Sequence, residues 1–170
     1  GGLQRTMPAT ALAGVLAAAS MAGIPLFFGF VAKEQFYDGV RVSAFPGVWT
    51  ALLVTLSVVA SMCLGGAGFV AGIAPFRGRL TPAPAPHDVP RAMWLGPLIL
   101  GGAGLLLGIV PGLASGPISL AGEAVTGAPA GLPLALWQGF TTTLLLSILT
   151  LGGAVVLFTY RARVWRLAWP

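Results

Sequence analysis

The chain has 170 residues, 56% of them hydrophobic and 8% charged, with a formal net charge of +5. An ordinary soluble domain carries roughly 25% charged residues, so a soluble globule with too little polar surface to cover its apolar side chains is excluded. The positive balance does not point to nucleic acid, because the arginines stand singly or in small groups beside apolar runs, where they anchor helix ends at a membrane interface.

Between charged residues the chain contains the uncharged runs Thr6 to Ala32, Val42 to Phe76, Ala92 to Gly122 and Ala124 to Tyr160. Each exceeds the roughly 20 residues that span a hydrocarbon core about 30 Å thick. We therefore expect an all-α integral membrane bundle, a single transmembrane domain over residues 1–170 with about four transmembrane helices. The lead Gly1 to Met7 has no signal-peptide pattern. It also lacks an initiator methionine, as expected of a fragment of a larger chain.

The first helix is predicted over 8–39 and broken at Gly23-Ile24-Pro25. Pro8 suits its first turn, where a missing donor costs nothing. Ala13, Gly14, Ala17, Ala18 and Ser20 are small enough to let neighbouring backbones approach. Pro25 removes a donor and crowds the preceding turn, so the helix must kink or unwind there. In a bilayer the freed carbonyls need protein or trapped water as partners. Beyond the break come Phe27, Phe28, Phe30, Lys33, Glu34, Phe36 and Tyr37, and Lys33 is the only lysine in the chain. A broken membrane helix followed by an ionisable residue is a candidate ion pathway.

The second helix is predicted over 48–73, with Trp49 at the interface and Gly65, Gly66 and Gly68 marking close packing. Phe76 to Pro90 reads as a proline-rich loop containing Arg77, Arg79, His87 and Asp88. A third helix is predicted over 91–110 and stopped by Pro111-Gly112. Ser115 to Pro133 reads as a long connection with an interfacial turn near Ile118 to Val125. The fourth helix is predicted over 134–160, followed by the basic-aromatic exit Arg161, Arg163, Trp165, Arg166 and Trp169. Cys63 reads as a small buried hydrophobe.

Four crossings put both termini on one face. That face gathers Arg5, Arg77, Arg79, Arg91, Arg161, Arg163 and Arg166, against Arg41 on the other. The positive-inside rule then makes both ends cytoplasmic in a multi-pass plasma-membrane protein. Lys33 falls in the outer half or at its boundary. A straight helix from Pro8 carries it roughly 37 Å along the axis. The plain alternative is thus a snorkelling anchor paired with Glu34 or Asp38.

The other polar candidates are weaker. His87-Asp88 in a proline-rich loop reads as a solvated turn rather than a pH-sensitive pair. Thr141, Thr142, Thr143 and Ser147 are given no transport role, since helical threonines usually bond their own backbone. No nucleophile constellation, phosphate loop or metal-ligand spacing is present. No catalytic residue, metal or cofactor is assigned, and the chain is not expected to be an enzyme.

Three stretches carry a resemblance: Gly1-Gly2-Leu3 with Met7-Pro8, Ser20-Met-Ala-Gly-Ile-Pro25, and Gly29-Phe-Val-Ala-Lys33-Glu34. Together they resemble the twelfth transmembrane helix of the antiporter-like subunits of Mrp-type cation/proton antiporters and of respiratory complex I. Phe76-Arg77-Gly78, His87-Asp88-x-Pro90 and Leu136-Trp137-Gln138-Gly139 are most similar to the A subunit of the Mrp antiporter. The resemblance implies that Lys33 belongs to a string of buried ionisable residues and serves the outward half of a proton or cation pathway, with Glu34 beside it. It also implies partners: the other subunits of a multisubunit complex, the lipid bilayer, and H+ and Na+ as transported ions, with no nucleic acid. The pathway residues that the family carries on earlier helices have no counterpart here, so Lys33 alone cannot complete a path. Two alternatives stay open: a proton-pumping subunit of a respiratory NADH:quinone oxidoreductase, and a structural membrane element in which Lys33 is only an anchor.

Overall fold

A computed structural model describes residues 2–43, 45–78, 89–128, 131, 134–137 and 139–163. The described residues form a short 3-10 turn, Leu3–Arg5, and six α-helices: α1 (Pro8–Ala22), α2 (Phe28–Val42), α3 (Gly47–Gly72), α4 (Arg91–Ile109), α5 (Gly112–Thr126) and α6 (Thr142–Thr159). There are no strands among them. The protein is a membrane helical bundle. Three helices, α3, α4 and α6, are long and apolar enough to cross a bilayer. At 15 residues α1 is too short to cross by itself, reaching roughly 22 Å at 1.5 Å per residue. The chain continues from it through the break into α2.

Small residues set how closely the helices meet. In lipid there is no hydrophobic drive between apolar helices, so contact area and close backbone approach hold them together. A Cβ on Gly14 would lie 2.9 Å from the Gly72 carbonyl oxygen, so α1 and α3 cross backbone to backbone. Gly65 of α3 fits against Ala22 of α1 and Ala154 of α6. Ala18, Ala22, Phe69 and Ala154 form the buried cluster there. The glycines of the second predicted helix serve packing, as their spacing implies. Cys63, on the same helix, is exposed rather than buried; it lies off the glycine face.

These contacts also fix direction. Gly72 meets Gly14 and Gly65 meets Ala22, so α3 runs against α1. Gly101 meets Leu16 and Gly108 meets the backbone at Leu26 to Phe28, so α4 runs with α1. Gly153 meets Met62 and Gly66 meets Leu157, so α6 runs with α3. The chain lead is tied to the end of α3 by backbone bonds from Gly2, Leu3 and Gln4 to Arg77, Pro75 and Phe76.

Three predicted boundaries change. The last helix begins at Thr142 rather than at residue 134. Thr141 caps it, its hydroxyl accepting from the Leu144 N–H at 3.2 Å, and a satisfied cap outweighs an apolar run. Leu134 and Leu136 instead fold against Phe30, Val31 and Leu144. The second half of the broken helix continues through Gly39 to Val42. Where a loop was expected, α5 forms, capped by Gly127 at φ 69. Its Ser115 and Ser119 hydroxyls donate to the Gly112 and Gly116 carbonyls. A proline at the start and a glycine just past the end are helix punctuation as well as loop punctuation.

Candidate functional site

The site begins as a helix cap. Gly23 adopts φ 71, and its N–H bonds Ser20 O at 3.1 Å while the Ile24 N–H bonds Ala19 O at 3.0 Å. This pair of bonds is the Schellman ending, which favours glycine because a Cβ is strained at positive φ. Pro25 follows the cap and prevents continuation. Leu26 then takes φ 81, the one non-glycine residue at positive φ among the described residues. The chain re-enters a helix at Phe28.

The ending leaves the Ala22 carbonyl free, and Lys33 takes it up. Its Nζ donates to Ala22 O at 2.8 Å. A second bond goes across the bundle to the Thr150 hydroxyl of α6 at 3.3 Å. Helical side chains lean toward their own N-terminus, and Lys33 follows that lean back to the break. The ammonium therefore sits level with the end of α1, roughly 22 Å from its start. The side chain thus points back toward the break rather than on toward the end of α2.

Glycines make room for this. A Cβ on Gly23 would stand 2.7 Å from the Lys33 ammonium. A Cβ on Gly29 would strike the Ser20 carbonyl oxygen, and one on Gly108 would strike the backbone of Leu26, Phe27 and Phe28. The backbones of α1, α2 and α4 thus meet closely at the break. Gly23 and Pro25 both fall at the break; Gly23 touches the site, whereas Pro25 acts only through the backbone.

Glu34 is 3% exposed and its Oε1 has no hydrogen-bond partner among the described residues. It is not joined to Lys33, whose bonds go to Ala22 and Thr150. Glu34 lies on the buried stripe of α2 with Phe30 and Tyr37. One turn on, the Tyr37 hydroxyl meets the Ser61 hydroxyl of α3 at 3.1 Å. Asp38 faces Arg41 at 3.9 Å on the surface, so neither acid neutralises the lysine. His87 and Asp88 lie outside the described residues.

Sequence reasoning missed Thr150. It is wholly buried, as Thr143 and Ser147 nearly are, at 2% and 3% exposed. Residues 143, 147, 150 and 154 recur at helical spacing and form the buried face of α6. That spacing was readable, but only the fold shows that the face looks toward Lys33.

A broken membrane helix whose lysine satisfies its own freed carbonyl defines the class: a helical membrane protein with an ionisable group at a helix break. No family model matches the sequence. The chain is 28% identical to the A subunit of the Na(+)/H(+) antiporter of Alkalihalophilus pseudofirmus, over 93% of this chain and 22% of that protein. It is 31% identical to the A/B subunit of a probable K(+)/H(+) antiporter of Rhizobium meliloti, over 93% of this chain and 16% of that protein. A chain of the Mrp complex from Dietzia sp. superposes with a TM-score of 0.76 at 28% identity, covering 97% of this chain and 18% of that one. By sequence the chain is similar to part of these antiporter A subunits, and by fold to part of a chain of the Mrp complex. It spans between 16% and 22% of the length of the two curated relatives.

Proposed function

We propose that this chain is part of a membrane subunit of an Mrp-type monovalent cation/proton antiporter, working with other subunits, and that Lys33 carries protons in the outward half of the pathway. The observation that supports it is the 2.8 Å bond from the Lys33 ammonium to Ala22 O. A charge held inward at a helix break, with no acid among the described residues to neutralise it, is expensive in a membrane and is retained for transport rather than anchoring. The names of the relatives favour the antiporter reading over the redox-driven one. Na+ is the cation we assign, with K+ the competing choice raised by the Rhizobium protein's name. Glu34, buried with an unpartnered oxygen among the described residues, is the second pathway group.

The test uses vesicles bearing the assembled complex. Lys33→Ala should abolish cation-dependent proton movement while assembly, read by native gel, persists. Lys33→Arg should also fail, because guanidinium does not deprotonate in proteins and cannot pass a proton on. Glu34→Gln keeps the shape and removes the charge, and should slow transport. Full activity in Lys33→Arg would return the chain to a scaffold role.

A further inference from the structure

The buried face of α6 holds more hydroxyls than its own backbone explains. Thr150 donates to the Ser147 carbonyl at 2.9 Å and its oxygen faces the Lys33 ammonium. Ser147, 3% exposed, has a buried hydroxyl with no partner among the described residues. Thr143, 2% exposed, shares a 2.7 Å contact with the hydroxyl of the partly buried Thr141 at the helix start. A buried hydroxyl without a partner is costly, and ordered water is the usual remedy when several polar groups stand near one another. From Thr150 to Thr141 these groups run along roughly 13 Å of helix. They lead from the lysine to the end of the bundle opposite the tied chain lead. Phe30, Val31 and Leu144 pack as an apolar cluster between α2 and the start of α6.

We infer that the Thr141, Thr143, Ser147 and Thr150 hydroxyls of α6 form a water-holding file that links the Lys33 ammonium to the N-terminal end of α6. The ligand is water, with a proton handed along it. No bond to carbon changes: a proton leaves the ammonium for the nearest file oxygen, and another leaves the far end. The file rests on the proposed role of Lys33 and extends it to a second helix.

The experiment separates the two. Thr143→Val, Ser147→Ala and Thr150→Val each remove a hydroxyl without adding bulk. Ser147→Thr and Thr150→Ser keep one. All are made in the assembled complex and assayed in vesicles beside Lys33→Ala, with native-gel assembly and thermal stability recorded. A water file predicts that Thr150→Val slows transport about tenfold, the scale of one hydrogen bond to a charged group, and that Ser147→Ala slows it as well. It also predicts that Ser147→Thr and Thr150→Ser recover the rate. A merely structural Ser147 predicts the opposite, since deleting an unsatisfied buried hydroxyl leaves transport unchanged and the protein as stable or more so. If Lys33→Ala is dead while Ser147→Ala and Thr150→Val run at full rate, the file is wrong and the lysine's role stands. If Lys33→Ala transports normally, both fall.

Discussion

At residue scale, Gly23 has two independent reasons to be glycine. Its φ of 71 lies in the left-handed region, and the place of its missing Cβ is taken by the Lys33 ammonium. Gly23→Ala should therefore cost about 1–2 kcal/mol from conformation alone, and push the ammonium off Ala22. Thermal unfolding of the complex should show the loss, and transport should fall with it. An alanine variant with unchanged stability and rate would mean that the cap is not held as described. Of the candidate site residues, Lys33, Glu34, Gly23 and Pro25 stand out in the sequence by type and order. Proline after a Schellman glycine, and a lone lysine in an apolar run, are local signals. Thr150 was not readable, because its meaning comes from a contact between two distant parts of the chain.

At element scale, α4 is the floor beneath the break. A Cβ on Gly108 would strike the backbone at Leu26, whereas Gly102 of the same helix has nothing within 4 Å. Gly108→Ala should cost about 1–3 kcal/mol by overpacking and disturb α2. Gly102→Ala should be neutral or stabilising by up to about 1 kcal/mol of helix propensity. Equal stability of the two variants, measured as thermal midpoints in detergent, would rule out α4 as the supporting surface. Helices α3 and α4 were legible in sequence because long apolar runs between charges leave little choice. The start of α6 was not. Thr141 lies inside an apolar run, and its capping role depends on Leu134 and Leu136 leaving the helix to cover Phe30 and Val31. The α5 helix was hidden by its own punctuation, since Pro111 and Gly127 mark a loop and a helix equally well.

At the scale of the whole molecule, the arginines sort by end. Arg5 and Arg77 come together through the backbone tie, and Arg91 lines a pocket with Met7 and Pro8. Arg161 and Arg163 stack on Phe158 and Tyr160 at the end of α6, beside Phe69 near the end of α3. Arg41 lies at the far end, beside Asp38. From the positive-inside rule we propose that the arginine-rich end faces the cytoplasm. With Cys63 replaced by serine, Val42→Cys, a site 77% exposed, should react with an impermeant thiol reagent in intact cells. Arg77→Cys should react only after permeabilisation. The reverse pattern would invert the bundle and with it the outward assignment of Lys33.

The bond from Lys33 to Ala22 has a mechanical meaning. An unbroken helix passes stiffness along through one backbone bond per residue; here that series is cut, and a side chain bridges the gap. The lower half is clamped by the Gly14–Gly72 crossing and the tied chain lead. The upper half is joined to it by the ammonium and by the close approach of Gly29 to Ser20, and it rests on α4. Charge on the ammonium nitrogen strengthens its bond, and loss of that charge weakens it. In this protein a side-chain bond, not a backbone bond, joins the two half-helices across the break.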